Sequence, residues 1–293
     1  MIYGSRIERY DKTKLMSRSY DALKKVEGER SPYKVIGIEE VETPVAATVA
    51  KQGVAEAGLS PTSHPIALEA LLERCPPLAW VPNTETMLFF STGEKGRRAT
   101  EEFRTLRSRL QQVREKHPLQ KVLVTSAVPK EGRSFVAANL AQVLAIEPGC
   151  RTLLIDADLR DPSLHSSLGT FTTPGLSEYV RGESDELEII QRGMIENLFL
   201  VASGRKNSAP PEVISSRLKV LLGCLEPLFD WIVIDAPPAL HTADSSLIAN
   251  LCDGILMVVR SNSTPFDYVR KARQKFPDNR LIGVVLNEIP PEI

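Results

Sequence analysis

Residues 121–141, KVLVTSAVPKEGRSFVAANLA, contain the pattern that decides the fold of this chain. The apolar and β-branched run at 121–127 predicts a buried strand, and residues 133–146 predict a helix. Between them lies a short connection with Pro129 and Gly132, residue types that are typical of a turn. We therefore expect a strand, a loop and a helix whose N-terminal backbone N–H groups point toward one place beside the loop.

The same alternation of strand and helix patterns continues from about residue 95 to the end of the sequence. Further strands are predicted at 151–158, 198–204, 230–237, 254–260 and 281–287. Further helices are predicted at 98–113, 175–182, 211–226, 243–251 and 265–276. Several strands are nearly continuous apolar runs, which is typical of a parallel sheet covered by helices on both faces. We expect an α/β fold with a mostly parallel central sheet flanked by helices.

A change in composition near residue 95 divides the chain into three parts. Residues 95–293 form the expected α/β domain. Residues 31–94 mix short charged segments with Pro, Ala, Val and Thr and show little periodicity, which predicts a largely irregular linker. Residues 1–30 form an N-terminal extension, in which SRSYDALKKVEGER (17–30) predicts a short amphipathic helix.

Charge and cysteine usage exclude several classes of protein. With 36 Lys and Arg against 37 Asp and Glu, the net charge of -1 gives no support for a protein that binds nucleic acid. The four cysteines form no CxxC pair, which argues against a zinc knuckle or a dense disulfide framework. The N-terminus has no apolar signal segment, and no apolar run approaches the ~20 residues that span a bilayer. We expect a cytoplasmic protein.

The loop after the first predicted strand resembles a phosphate-binding loop. Aligned with the pattern GxxxxGK[ST], its eight positions run from Ala127 to Ser134, with Ala127 in place of the first Gly and Arg133 in place of the Lys. Gly132 allows the backbone to approach a phosphate closely, and Ser134 places a hydroxyl where Mg²⁺ would need one. An ordinary strand-to-helix turn is the alternative for this segment taken alone.

Three aspartates follow two other predicted strands. Asp156 and Asp158 end the strand at 151–158, and Asp235 ends the strand at 230–237. Ligands of open α/β sheets bind beyond the carboxyl ends of the strands, so these carboxylates are expected near the phosphate loop. Their mutual repulsion would be relieved by Mg²⁺. Each aspartate taken singly is also a common cap of the next helix or turn.

Together these segments resemble the bacterial tyrosine kinases (BY-kinases) that control capsule and exopolysaccharide synthesis, which belong to the same class of P-loop ATPases as the partition ATPases. The resemblance extends over roughly residues 79–289. It rests on SAVPKEGRS (126–134) as Walker A, LLIDADLRDPSLH (153–165) as Walker A′ and IVIDAPP (232–238) as Walker B.

The resemblance implies ATP and Mg²⁺ as cofactors and assigns roles to residues. Ser134 and Asp158 would contact the metal, Asp156 would also help to deprotonate a tyrosine hydroxyl, and Asp235 would orient metal-bound water. The implied catalytic set is Arg133, Asp156, Asp158 and Asp235, of which the three aspartates join Ser134 as metal ligands. The implied nucleotide contacts are Pro129, Lys130, Glu131, Gly132, Arg133, Ser134, Phe135 and, at the adenine, Asn287.

The resemblance also implies partners. Glu101, Arg104 and Arg107 match an ExxRxxR signature that the family uses for subunit contacts in a ring, so a homo-oligomer is expected. From the residues alone, the same spacing is typical of solvated ion pairs on one helix face. The short N-terminal helix implies a membrane-embedded co-polymerase or chain-length partner, with the cytoplasmic chain held at the membrane through it.

Two departures from the family pattern leave alternatives open. Arg133 stands where a catalytic Lys is expected, and the two side chains are not interchangeable at such a site. The tyrosine-rich C-terminal tail of the family does not follow LNEIPPEI. One alternative is therefore a regulatory pseudokinase that binds nucleotide without transfer. Another is a partition-type ATPase, although the second Lys of those proteins would fall at Val128.

Overall fold

The structure is a computed structural model, which describes residues 66–84, 87, 94–206 and 209–287. The helix predicted at 17–30 lies outside these residues. In chain order the described strands are β1 (Lys121–Ser126), β2 (Thr152–Asp156), β3 (Ile190–Arg192), β4 (Leu198–Val201), β5 (Trp231–Asp235), β6 (Gly254–Arg260) and β7 (Leu281–Asn287).

These seven strands form one sheet in the order β3-β4-β2-β5-β1-β6-β7. All neighbours pair in parallel except β3 and β4, which are antiparallel. The predicted mostly parallel α/β sheet is thus confirmed. Strand β1 lies inside the sheet between β5 and β6, so the loop that follows it begins at the centre of the carboxyl edge.

Eight α-helices of the described residues connect or flank the strands. They are α1 (Leu68–Arg74), α2 (Glu94–Lys116), α3 (Arg133–Ala145), α4 (Leu164–Leu168), α5 (Leu176–Arg181), α6 (Pro211–Leu225), α7 (Asp244–Ala249) and α8 (Phe266–Arg273). A turn of 3-10 helix at Glu226–Leu228 extends α6. The sheet separates these helices into two layers.

Each face of the sheet has its own hydrophobic core. Along β1 the side chains alternate, so that Leu123 belongs to one core while Val122 and Val124 belong to the other. Helices α2, α3 and α4 cover the Val122 face, and α1, α5, α6, α7 and α8 contribute to the Leu123 face. Burial on both faces explains why the strands are continuous apolar runs rather than alternating ones.

The span expected to be a largely irregular linker, residues 31–94, contains packed structure in its described part. Helix α1 buries Leu71 completely, and the chain after it buries Cys75 and Trp80. Pro77 forms a parallel bridge with Arg192 of β3. This segment lies along the short edge strand and shields it, which is one way that proteins protect an exposed sheet edge.

Two elements have no strong sequence signal, and both are short. The edge strand β3 has three residues, too few to display an alternating pattern. Helix α4 has five residues and ends at Gly169, which adopts φ 63°. None of the helices in the described part of the chain is both long and apolar enough to cross a membrane.

Helix α1 generates a stability prediction, and a neighbouring residue of the same helix provides the control. Leu71 is fully buried, whereas its neighbour Leu72 is 39% exposed. We expect Leu71→Ala to lower the free energy of unfolding by about 2–5 kcal/mol, because it leaves a cavity in the core. Leu72→Ala should change it by less than about 1 kcal/mol. Urea unfolding of the two variants is the measurement, and equal losses would show that α1 is not part of the core.

Candidate active site

The phosphate loop, residues 127–132, joins the central strand β1 to α3 and has an unusual backbone. Lys130 and Gly132 adopt positive φ values of 66° and 89°, conformations that are uncommon for any residue other than glycine. Within the described residues no side chain caps the N-terminus of α3, whose first residue is Arg133. The first-turn N–H groups therefore remain available for an anion at the helix end.

Glu131 holds this loop from the side of β6. Its side chain is buried, and its carboxylate accepts hydrogen bonds from Val128 N at 2.7 Å, from Arg260 N at 3.3 Å and from the Thr264 hydroxyl. The side chain is thus used to fix the loop, and any contact of Glu131 with a nucleotide would come from its backbone. Sequence reasoning does not single out Thr264, because a lone Thr in a loop carries no signal.

Asn287, at the end of β7, holds the same loop. Its Nδ2 donates to the Glu131 carbonyl at 3.0 Å. A Cβ atom on Gly132 would lie 1.9 Å from that Nδ2, so glycine is required here both by the close approach and by φ. The predicted adenine contact of Asn287 therefore involves a residue whose amide nitrogen is already bonded to the loop.

The three predicted aspartates do come together at the carboxyl edge of the sheet. Asp156 and Asp235 are opposite each other in the β2–β5 pairing, and both are fully buried. Asp156 accepts from Asp158 N at 3.2 Å and from Leu164 N at 3.3 Å. Neither carboxylate oxygen of Asp235 has a hydrogen-bond partner of good geometry among the described residues.

Arg133 places its guanidinium against this aspartate cluster. Nη2 donates to the Asp158 carboxylate in a buried ion pair, and Nη1 donates to the Ala236 carbonyl at 2.6 Å. Asp158 also accepts from the backbone N–H groups of Arg160 and Asp161. The residue that replaces the expected Lys is thus joined to the carboxylates.

Burial and mutual repulsion perturb the acids. Burial, followed by the charge of Asp235, raises the pKa of Asp156 well above its ordinary value. Burial raises the pKa of Asp235 to about 6, although the Arg133 charge and the nearby Ser134 hydroxyl pull it down. Burial opposes the charge of Arg133, but the attraction of the three aspartates outweighs it and raises the Arg133 pKa. A raised pKa makes a carboxylate a better proton acceptor near neutral pH.

The four predicted metal ligands have oxygen atoms that suit Mg²⁺, but they are not arranged as a metal site. Ser134, Asp156, Asp158 and Asp235 offer the oxygen ligands that Mg²⁺ prefers, and the buried oxygens of Asp235 accept no hydrogen bond of good geometry from the described residues. However, the described part of the chain holds no group of three or more acidic, His or Cys side chains that is arranged as a metal site. Asp158 is engaged by Arg133, so a metal at these residues would require that ion pair to open.

Sequence reasoning misses one acidic residue at this edge. Asp244, the first residue of α7, is buried and accepts from Arg160 Nε at 3.1 Å. This bond ties the segment after β2 to the one after β5, which indicates that Arg160 steadies the loop beside Asp158. Asp244 resembles an ordinary helix-start aspartate in the sequence, so no local signal sets it apart.

A cavity of about 300 Å³ opens on the other side of the phosphate loop. Residues 128–131 form one wall, and residues 263–265 with Arg260 and Tyr268 form the other. The sheet order places β5 and β2 on one side of β1 and β6 on the opposite side. The aspartates and the cavity therefore flank the loop, which gives it an acidic side and an open side.

The remaining predicted residues lie on α2 and at the start of α3. Glu101 and Arg104 pair with each other on the exposed helix surface, while Arg107 donates to the Val143 carbonyl at 3.1 Å. The ring of Phe135 packs edge-on against Phe103, with ring centroids 5.9 Å apart. Phe135 therefore faces α2, and a nucleotide contact from it would be through its backbone.

Comparison with known proteins finds tyrosine-protein kinases among the similar chains. No model of a protein family matches the chain. Tyrosine-protein kinase YwqD of Bacillus subtilis (strain 168) is 32% identical over 191 residues, which cover 64% of this chain and 80% of YwqD. Tyrosine-protein kinase CpsD of Streptococcus agalactiae serotype III (strain NEM316) is 32% identical over 170 residues, which cover 57% of this chain and 73% of CpsD.

Solved structures give the same result. The chimerical protein CapA2B2 superposes with a TM-score of 0.64 at 28% identity, covering 76% of this chain and 98% of that chain. The kinase domain of Escherichia coli tyrosine kinase ETK superposes with a TM-score of 0.60 at 26% identity, covering 67% of this chain and 79% of that chain.

The contact between Gly132 and Asn287 generates a prediction with a matched control. Gly149 also has a positive φ, of 75°, but no atom lies within 4 Å of the place that a Cβ atom would take there. We expect Gly149→Ala to cost about 1–2 kcal/mol for its backbone conformation alone. Gly132→Ala should cost at least about twice as much, because Asn287 must also be displaced. Urea unfolding measures both losses, and equal losses would mean that the contact contributes nothing.

Asp235 generates a pH-dependent prediction. Its pKa is raised from 3.8 to about 6 in the folded protein, so the folded state binds this proton more tightly than the unfolded state. The resulting stabilisation is present at low pH and is lost as the pH rises through about 6. We therefore expect Asp235→Asn to raise the free energy of unfolding by about 1–3 kcal/mol at about pH 7.5, and by less at about pH 5.

Urea unfolding at the two pH values checks this prediction, with Asp253→Asn as the control. Asp253 pairs with Lys121 and accepts from the backbone N–H groups of Gln120 and Lys121, so its replacement should destabilise the protein. A destabilising Asp235→Asn at about pH 7.5 would contradict the proposed cost of burying this carboxylate.

Proposed function

The chain belongs to the bacterial tyrosine kinase (BY-kinase) family, and we propose that it binds ATP and transfers phosphate to tyrosine in the regulation of exopolysaccharide or capsule synthesis. Its relatives YwqD and CpsD are named as tyrosine-protein kinases. The observation that carries the proposal for this chain is the meeting of Asp156, Asp158 and Asp235 beside the phosphate loop.

The two sides of the phosphate loop support a particular placement of ATP. The uncapped N-terminus of α3 suits the phosphates, because its N–H groups and dipole favour an anion. The cavity lined by Tyr268 suits the base, because it lies beside the loop and away from the three acids. The terminal phosphate then extends toward Asp156 and Asp235. The positions of β5 and β6 on either side of β1 support this order.

Transfer to tyrosine requires a proton acceptor and charge neutralisation. The tyrosine oxygen attacks the terminal phosphorus, the bond to the ADP oxygen breaks, and the tyrosine proton must leave. Asp156 suits the acceptor role, because burial has raised its pKa. Mg²⁺, held by Ser134, Asp156, Asp158 and Asp235, would supply neutralisation of the developing negative charge.

Arg133 favours a second candidate function, a regulatory pseudokinase. Its guanidinium is hydrogen-bonded to Asp158 and to the Ala236 carbonyl. The mobile ammonium of a Lys at this position would instead interact with the phosphates. We therefore expect weak transfer from the chain as it stands. In the limiting case the chain would bind nucleotide and regulate a partner without transferring phosphate.

We further propose a membrane-embedded co-polymerase or chain-length protein as the partner, with the chain in the cytoplasm and held at the membrane through it. A homo-oligomeric ring would use the α2 surface. Glu101 and Arg104 support this role because they are exposed, with 65% and 52% of their side chains accessible. Arg107 supports it less, since it is bonded to the end of α3.

The test is an assay of the purified chain with ATP, Mg²⁺ and a tyrosine-containing acceptor, with and without the membrane partner. Phosphotyrosine and released phosphate are both measured. Phosphotyrosine supports the kinase, nucleotide binding with neither product supports the pseudokinase, and phosphate release alone supports a partition-type ATPase.

Replacement of Arg133 tests whether this residue limits phosphate transfer. We expect Arg133→Lys to raise phosphotyrosine formation by at least about tenfold and to change ATP affinity less, because one well-placed charge acts mainly in the transition state of phosphoryl transfer. Arg151→Lys is the matched control. Arg151 is half-buried and donates from Nε to the Leu228 carbonyl at 2.7 Å, but it precedes β2 at the opposite end of the sheet.

The two variants separate a local effect from a general one. Arg151→Lys should leave the rate of transfer unchanged. If Arg133→Lys stays without detectable transfer, with a competent acceptor and partner present, then the weakness is not confined to that residue and the pseudokinase displaces the kinase.

A further inference from the structure

Arg133 carries its charge where two physical effects oppose it. It is the first residue of α3, at the helix end where the dipole contributes positive charge, and only 9% of the residue is exposed. Burial and the dipole both make a cation unfavourable at this position. The positive charge is therefore maintained by its acidic surroundings.

Both anchors of the guanidinium belong to the strand ends that carry the carboxylates. Nη1 bonds to the carbonyl of Ala236, which directly follows Asp235, and Nη2 bonds to Asp158, two residues after Asp156. The side chain thus reaches from the phosphate loop to the segments after β5 and β2. It connects the anion-binding end of α3 with the acidic cluster.

The acidic cluster needs positive charge whether or not a nucleotide is bound. Asp156 and Asp235 face each other across neighbouring strands and are both fully buried, so their charges repel in a place with little solvent screening. The guanidinium of Arg133, which is part of the chain, supplies this positive charge. It is in place before any ligand arrives, whereas a metal would have to displace it from Asp158.

We propose that Arg133 takes over the charge-neutralising role of a divalent cation in nucleotide binding, so that this chain binds ADP and ATP with little dependence on Mg²⁺. The inference rests on the proposed nucleotide site and deepens it. A guanidinium presents several N–H donors in one plane and can bond carboxylate and phosphate oxygens together. The ammonium of a Lys is a single point charge, which leaves most of the neutralisation to the metal.

Isothermal titration calorimetry with ADP, in excess MgCl₂ and in EDTA, tests the inference on the full chain. For the unaltered chain we expect the two affinities to agree within about threefold, because the resident charge replaces the metal. For Arg133→Lys we expect EDTA to weaken binding by at least about tenfold, since the ammonium cannot bridge the same groups. Arg151→Lys should behave like the unaltered chain.

The outcomes separate this inference from the proposed function. Binding of the unaltered chain in MgCl₂ but not in EDTA would overturn the inference and leave the nucleotide site standing. Binding in neither condition would overturn both. Binding of Arg133→Lys that is equally independent of Mg²⁺ would also overturn the inference, because Arg133 would not be the cause. If Arg133→Lys does not fold, the comparison of the unaltered chain in MgCl₂ and EDTA decides the question.

Discussion

The rest of the site depends on how the charges of three buried aspartates are balanced. Parallel strands bring Asp156 and Asp235 to the same edge of the sheet, and the Asp158 carboxylate joins them. Their repulsion in a poorly solvated place must be offset by a cation, by bound protons or by both. Arg133 supplies a cation, and the raised pKa values of Asp156 and Asp235 favour bound protons as the pH falls. An apolar set of residues here would avoid this repulsion, which makes the cluster a candidate functional site.

Opposite sides of the phosphate loop are fixed by different kinds of contact. On the side of β6 and β7, Glu131 and Asn287 hold the loop with hydrogen bonds to backbone groups and to Thr264. On the side of β2 and β5, Arg133 holds the start of α3 with an ion pair. The first set presents no positively charged side chain to a phosphate. The second uses a charge that a phosphate would attract, so a bound nucleotide would act on the aspartate side.

The parts of the fold that could be predicted are those that long sequence patterns encode. Six strands and six helices stand close to their predicted places, because continuous apolar runs and helical periodicity extend over many residues. Strand β3 and helices α1 and α4 are not predicted, since three to seven residues give little pattern and their burial depends on neighbours distant in sequence. The aspartates were predicted to converge because the topology of a parallel sheet requires it. The direction of the Arg133 side chain, the burial of Glu131 and the role of Asp244 are tertiary contacts that no local pattern records.

The identity of residue 133 connects stability with activity in this chain. A Lys at this position has one compact ammonium, which cannot hold Asp158 and the Ala236 carbonyl in the same bidentate manner as the guanidinium. Such a chain would hold the aspartate cluster with fewer hydrogen bonds, and a metal bound with the ligand would then supply more of the positive charge near the aspartates. With Arg133 the neutralising charge is provided by folding itself. The nucleotide-free state is thereby stabilised, and less of the electrostatic gain remains to be released when phosphate binds. The contact that favours a well-formed site without ligand is therefore also one with which ligand binding must compete.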